Sequence, residues 1–277
     1  MRSRLALWLF LPLSPALAEE GHSIVLERGT ASETLELSTE TLDVIERFDP
    51  QLSETRMFRG VALTRLLGRH PGPKEADTIV LGFKNGMQIP LSLSSGALES
   101  IDPFIAIESH RGRGEYSPSF PDITKKRSEI PDPRPIHFGG NKLVVAKTTH
   151  PRVKDAGEFS PWLYVDSLAF IRWVDGARYE AQFGAAADPT VARGREVFLA
   201  RCQWCHGVAG HGASYGWDFV KPVPLENWRS TRSLHAHVKF RNADSTERGY
   251  MMPPQRDVST EEIEDLRKWM AAVSVKQ

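Results

Sequence analysis

Two thiols three positions apart, followed at once by an imidazole, occur in Cys202-Gln203-Trp204-Cys205-His206. This is the arrangement through which haem is attached covalently. The chemistry explains the spacing: the thiols add to the two vinyl groups of one porphyrin, and the adjacent imidazole reaches the iron from one face. His206 is therefore the expected proximal ligand. A C-x-x-C pair also serves thioredoxin-like redox sites and zinc sites, but zinc would need a second ligand pair and the chain has only these two cysteines. One covalent haem c is the expected cofactor. The second axial ligand is expected from Tyr250-Met251-Met252-Pro253-Pro254, which offers a thioether on a stretch stiffened by prolines, and Met252 is the assigned residue.

Histidine is an alternative to that thioether, from His235-Ala236-His237 or from His211 between two glycines. A helix around Leu234 and Val238 would send His235 and His237 to different faces, which argues against the pair. Arg229, Arg232, Arg241 and Arg248 are candidates to pair with the haem propionates, and Trp228 or Tyr250 to donate to them.

The elements that must position these groups are legible on both sides of the motif. Asp188-Pro189 opens a run of Val191, Gly194, Val197 and Phe198 with helical spacing that ends at the cysteines. Further on, Ser259 and Glu262 form a capping box and Val258 with Ile263 a hydrophobic staple. Ile263, Leu266, Trp269 and Met270 then line one face of a last helix, a scaffold with no chemistry of its own.

With those residues in place, the stretch from Gly194 to Met270 resembles the class I c-type cytochrome domain. Gly194, Phe198, Cys202, Cys205, His206, Gly207, Gly210, Gly212, Met252-Pro253-Pro254 and Trp269 carry the resemblance. It implies an all-α haem domain in which Gly194 and Phe198 cross close to Trp269. It also implies a proline carbonyl accepting the proximal histidine Nδ1–H, with Pro224 the matching residue, although these prolines serve equally well to stiffen a loop.

The chain's start supplies a compartment. Arg2 and Arg4 precede the apolar run Leu5 to Leu11, and Ala16-Leu17-Ala18 offers a small-residue cleavage site, so residues 1–18 read as a secretory signal. The apolar run is too short for a permanent membrane anchor. The expected product is a soluble periplasmic protein. Removing Arg2 and Arg4 from 35 basic residues leaves 33 against 35 acidic ones, and a balance this even speaks against a nucleic-acid partner.

Residues 19–184 are enough to bury a core of their own. The small residues of 185–189 read as a linker to a haem domain at 190–277. The first domain reads as α+β with more β. Its expected strands are Thr78 to Phe83 and Met87 to Leu91 around an Asn85-Gly86 turn, then Leu143 to Ala146 and Leu168 to Val174, with one short helix from Val61 to Leu67 stopped at Gly68. Residues 109–135, rich in Pro, Gly and charge, read as a long insertion: a solvated excursion by default, with a basic docking loop for an acidic partner as the alternative.

Three short motifs resemble the molybdopterin-binding domain of sulfite-oxidase-like enzymes: Phe58-Arg59-Gly60 with the helix after it, Ile89-Pro90-Leu91, and Ser160-Pro161-Trp162-Leu163-Tyr164-Val165. That family binds molybdenum through a cysteine within this domain, and both cysteines here are committed to haem. The resemblance therefore implies the fold without the metal, and it argues against molybdopterin and for a docking or ligand-binding module. The expected function is one-electron transfer to redox protein partners, not catalysis. A haem enzyme or ligand sensor with a labile distal methionine, and a molybdopterin-dependent oxidoreductase with a built-in haem relay, are the alternatives.

Overall fold

The run Thr78-Ile79-Val80-Leu81-Gly82-Phe83 is buried at every position, the mark of a strand covered on both faces, and the two halves of the protein meet across it. The computed structural model describes residues 22–49, 54–94, 96, 98, 101–110, 141–145, 167–184, 188–239, 255 and 257–274. In chain order the elements are β1 (Ser23–Arg28), β2 (Ala31–Glu36), β3 (Asp43–Asp49), β4 (Glu54–Ala62), α1 (Leu63–Arg69), β5 (Thr78–Phe83), β6 (Gln88–Ser92), β7 (Pro103–His110), β8 (Lys142–Val145) and β9 (Leu168–Val174). There follow α2 (Gly176–Ala181), α3 (Pro189–Arg201), β10 (Gly207–Val208), β11 (His211–Gly212), α4 (Leu225–Trp228), α5 (Thr231–Lys239) and α6 (Thr260–Ser274).

The strands form a five-stranded sheet in the order β2-β1-β9-β5-β6 and a four-stranded sheet in the order β3-β4-β7-β8. Only β1 and β9 run parallel in these two sheets; the other described pairings are antiparallel. Pro90 lies on β6, opposite Val80 and at the edge of its sheet, where a missing N–H costs no ladder bond.

The turn signal Asn85-Gly86 does join β5 and β6. Phe83 N–H donates to Met87 O at 3.0 Å and Gly86 N–H to Phe83 O at 2.9 Å, which makes a three-residue loop whose last residue, Gly86, has φ +89°. The expected strands at 143–146 and 168–174 are β8 and β9, with Ala146 outside the described residues. The expected helix at Val61 to Leu67 needs correction: Val61 and Ala62 pair with β7 as the end of β4, and the helix runs on through Gly68 to Arg69. The pull of the sheet outweighs local helical spacing at its start.

Alternation along β5 divides the interior into two cores. Ile79 and Leu81 join Ile24, Leu26, Phe58 and Ile105 between the sheets. Val80, on the opposite face, joins Tyr179, Phe183, Phe198, Leu266 and Trp269 among the helices. Phe183 is wholly buried there, so the helical core begins with α2, before the expected linker. Of that linker, Asp188 caps α3 and Pro189 opens it, while 185–187 lie outside the described residues. The expected signal at 1–18, residues 111–135 of the long insertion and the Ser160 to Val165 motif also lie outside them. Among the described residues no helix is long and apolar enough to cross a membrane.

Candidate haem site

The haem motif stands at the end of α3, whose geometry is set from both ends. Asp188 Oδ1 accepts from Thr190 N–H at 2.7 Å, with Pro189 in the first turn where its missing N–H is harmless. α3 crosses α6 at Gly194, where a Cβ would strike the Asp265 carbonyl and come within 2.8 Å of the Trp269 Cβ. Phe198 and Trp269 stack 4.9 Å apart between centroids. The close crossing expected of Gly194, Phe198 and Trp269 is therefore present. The capping box of α6 is present too: Ser259 N–H donates to Glu262 Oε2 at 2.7 Å, and Glu262 N–H to Ser259 Oγ at 3.0 Å.

Cys202 ends the helix, and Cys205 N–H and His206 N–H both return to its carbonyl, at 3.1 and 2.9 Å. The two thiols are unbridged. Burial pushes each of them up to about 12.

Beyond the motif, His206 Nδ1 lies 2.8 Å from the Trp217 carbonyl. A carbonyl only accepts, so Nδ1 carries the hydrogen and the lone pair sits on Nε2, the tautomer that ligates a metal. The expected acceptor, Pro224, is corrected by this contact: its carbonyl instead takes Asn227 N–H at 3.0 Å, and the residue caps α4. Two neighbours hold the imidazole ring in place. Phe219 packs 4.8 Å from it between centroids, and Gly216 lies against its edge, where a Cβ would stand 2.6 Å from Nδ1.

Asp218 organises the same loop and escaped the sequence reading. Its Oδ1 accepts from Ala209, Val220 and Lys221 N–H at 2.9, 2.7 and 2.9 Å, and its Oδ2 from Gly210 N–H at 2.7 Å. Partial burial pushes this carboxyl up, but the four N–H donors outweigh it and hold the pKa below its ordinary value. One carboxylate thus ties the segment after His206 to the segment after Trp217. The signal was weak in sequence, since Asp218 is a single acidic residue beside an aromatic.

A second unforeseen contact comes from the β5–β6 hairpin. Gln88 N–H donates to Trp204 O at 3.0 Å, inside the haem motif, and Ser214 N–H donates to Gly86 O at 2.9 Å. Gln88 Nε2 adds a bond to Gly212 O at 3.0 Å. Trp204, Cys205 and Tyr215 pack against the core between the sheets, so the β-rich lobe forms a wall of the attachment loop.

Other expected residues fall in different places. Arg229 follows α4 and its Nη1 reaches Ser233 Oγ at 3.4 Å; Trp228 is the last residue of α4. His235 Nε2 lies 3.2 Å from the Val258 carbonyl, His237 stands near the end of α5, and His211 is exposed on β11. Tyr250, Met251, Met252, Arg241 and Arg248 lie outside the described residues.

The groups present fit a covalent haem: two unbridged thiols with the required spacing, an imidazole held as the metal-ligating tautomer, and a bare glycine where a side chain would displace that ring. Bound there, haem supplies a one-electron ferric–ferrous couple. No curated protein matches the chain, and no family match accompanies the β-rich lobe's resemblance to sulfite-oxidase-like domains. Residues 191–274 match the family model described as cytochrome c, which supports a C-terminal class I cytochrome c domain, the covalent haem c that such a domain implies, and haem-based electron transfer.

Proposed function

We propose that the protein is a periplasmic monohaem cytochrome that passes single electrons between redox protein partners, with Cys202 and Cys205 holding the haem and His206 and Met252 as axial ligands. The observation that carries this reading is the His206–Trp217 contact, in which a carbonyl faces Nδ1 and leaves Nε2 for the iron, beside two unbridged thiols. Export agrees with it, because haem c is attached outside the cytoplasm. The β-rich lobe, a sulfite-oxidase-like fold without its molybdenum ligand in this reading, serves as a docking or ligand-binding module. Its hairpin packs on the attachment loop, with Gln88 N–H donating to the Trp204 carbonyl.

Absorption spectroscopy of the purified holoprotein tests the axial pair. The oxidised protein is expected to show the weak near-infrared band of methionine-to-ferric-iron charge transfer. That band should vanish in Met252→Ala and persist in Met251→Ala. Equal effects from the two substitutions would reassign the ligand. Rapid carbon monoxide binding by the reduced wild type would overturn the carrier in favour of a haem enzyme or sensor.

A further inference from the structure

The proximal imidazole sits in a seam where residues 205–207 are tied to residues 216–219. Gly216 N–H donates to the Cys205 carbonyl at 2.6 Å and Phe219 N–H to the Gly207 carbonyl at 3.0 Å. Between these two bonds lies the contact of His206 Nδ1 with the Trp217 carbonyl, at 2.8 Å. That carbonyl shares one planar peptide unit with the Asp218 nitrogen, so a group that fixes Asp218 also fixes the direction in which the carbonyl points.

The side chain that fixes it is Asp218 itself. Gly216 has none to contribute, and Phe219 packs on the imidazole ring through an apolar contact, which is non-directional. The Asp218 carboxylate takes N–H groups from Ala209 and Gly210 on the His206 side of the seam, and from Val220 and Lys221 on the other. It also lies close to the backbone that carries the imidazole: a Cβ on Gly207 would stand 3.3 Å from Asp218 Oδ2. An acceptor on Nδ1 raises the basicity of a ligating imidazole, and hydrogen bonding behind an axial ligand is one of the levers on haem potential. A more basic ligand favours ferric over ferrous iron.

We propose that Asp218 is a positioning residue for electron transfer: its carboxylate holds the Trp217 carbonyl on His206 Nδ1 and so keeps the potential of the bound haem low. One electron is gained or lost at the iron, no bond breaks, and the hydrogen stays on Nδ1, so no proton accompanies the electron. This role rests on His206 as the proximal ligand of the proposed cytochrome, and on neither the distal residue nor a partner. It is distinct from the stability that the same four bonds give the loop, because a clamp that served only stability would leave the potential unmoved.

Two measurements on the haem-loaded full chain test it: a redox titration, and hydrogen exchange of the His206 Nδ1–H followed by nuclear magnetic resonance in the reduced protein. In Asp218→Ala the ferrous-to-ferric ratio at a fixed applied potential should rise about tenfold, a shift of 59 mV for one electron, and Nδ1–H should exchange about tenfold faster. Asp218→Asn keeps an oxygen for three of the four donors but sets an amide against Gly210 N–H. It should fold where alanine does not, with shifts of about threefold in the same directions. Val80→Ala, destabilised in the apolar core, should match wild type in both readouts. The proposal falls if the Asp218 variants lose stability while potential and exchange stay at the wild-type values. It falls equally if Asn and Ala shift the potential alike with exchange unchanged, since the charge alone would then act. A wild-type haem that does not cycle reversibly defeats the electron-carrier reading instead, and the exchange measurement, which needs no cycling, still decides the role of Asp218.

Discussion

Four backbone N–H groups converge on the Asp218 carboxylate, and charge-assisted bonds of this kind are among the stronger local ones. Replacing Asp218 with alanine strands those donors in a partly buried loop and is expected to cost on the order of 3 kcal/mol, read as a fall in unfolding temperature of the holoprotein. The pH dependence has a definite sign. The folded carboxyl titrates below its ordinary value of 3.8, so its contribution is fully present above that value and is lost as the pH falls through the lower, folded one. The stability gap between wild type and Asp218→Ala should therefore be constant near neutrality and close below about pH 4. A gap independent of pH down to pH 2 would show that the charge is not what holds the loop. A cytochrome c domain was legible from the spacing of Cys202, Cys205 and His206, because covalent haem chemistry admits few alternatives, and residues 191–274 match that family model. Asp218 and the Trp217 carbonyl were not legible, since backbone donors and acceptors leave no mark on residue type.

At the scale of elements, helix starts were readable because capping is local chemistry: Asp188 and the Ser259–Glu262 pair bind donors within their own first turns. The N-terminal boundary of α1 was missed because Val61 and Ala62 answer to β7, far away in sequence. Two glycines separate packing from propensity. At the α3–α6 crossing, Gly194→Ala drives a methyl into the Asp265 carbonyl and the Trp269 side chain, with an expected loss of about 2 kcal/mol. Gly68, inside α1, has nothing within 4 Å of an added Cβ. Gly68→Ala should therefore raise stability by about 0.5–1 kcal/mol, through helix propensity and a less disordered unfolded chain. Chemical denaturation of the two variants checks both signs, and a destabilised Gly68→Ala would mean that α1 ends before that residue.

At the scale of the whole molecule, the sequence suggests two domains and a linker, whereas Val80 on β5 and Phe183 after α2 lie in the same buried cluster as Phe198 and Trp269. Composition marks where a helix-rich region begins but carries no sign of which face of a buried strand the helices cover; a strand buried on both faces leaves that choice to tertiary structure. The bonds from Gln88 and Gly86 to the attachment loop add a polar seam to this apolar contact. Two lobes joined in this way should unfold together. In Val80→Ala the side chain is trimmed on the β-rich lobe, but the cavity opens in the haem-side core, with an expected cost of about 2 kcal/mol. Denaturation of the full holoprotein, followed in parallel by haem absorbance and by the far-ultraviolet signal of the sheets, distinguishes the cases. If the lobes form one cooperative unit, the two probes coincide in wild type and shift by the same amount in Val80→Ala. If they are independent, the haem transition stays where it was while the sheet signal moves, and the hairpin then does not set the geometry of the haem loop.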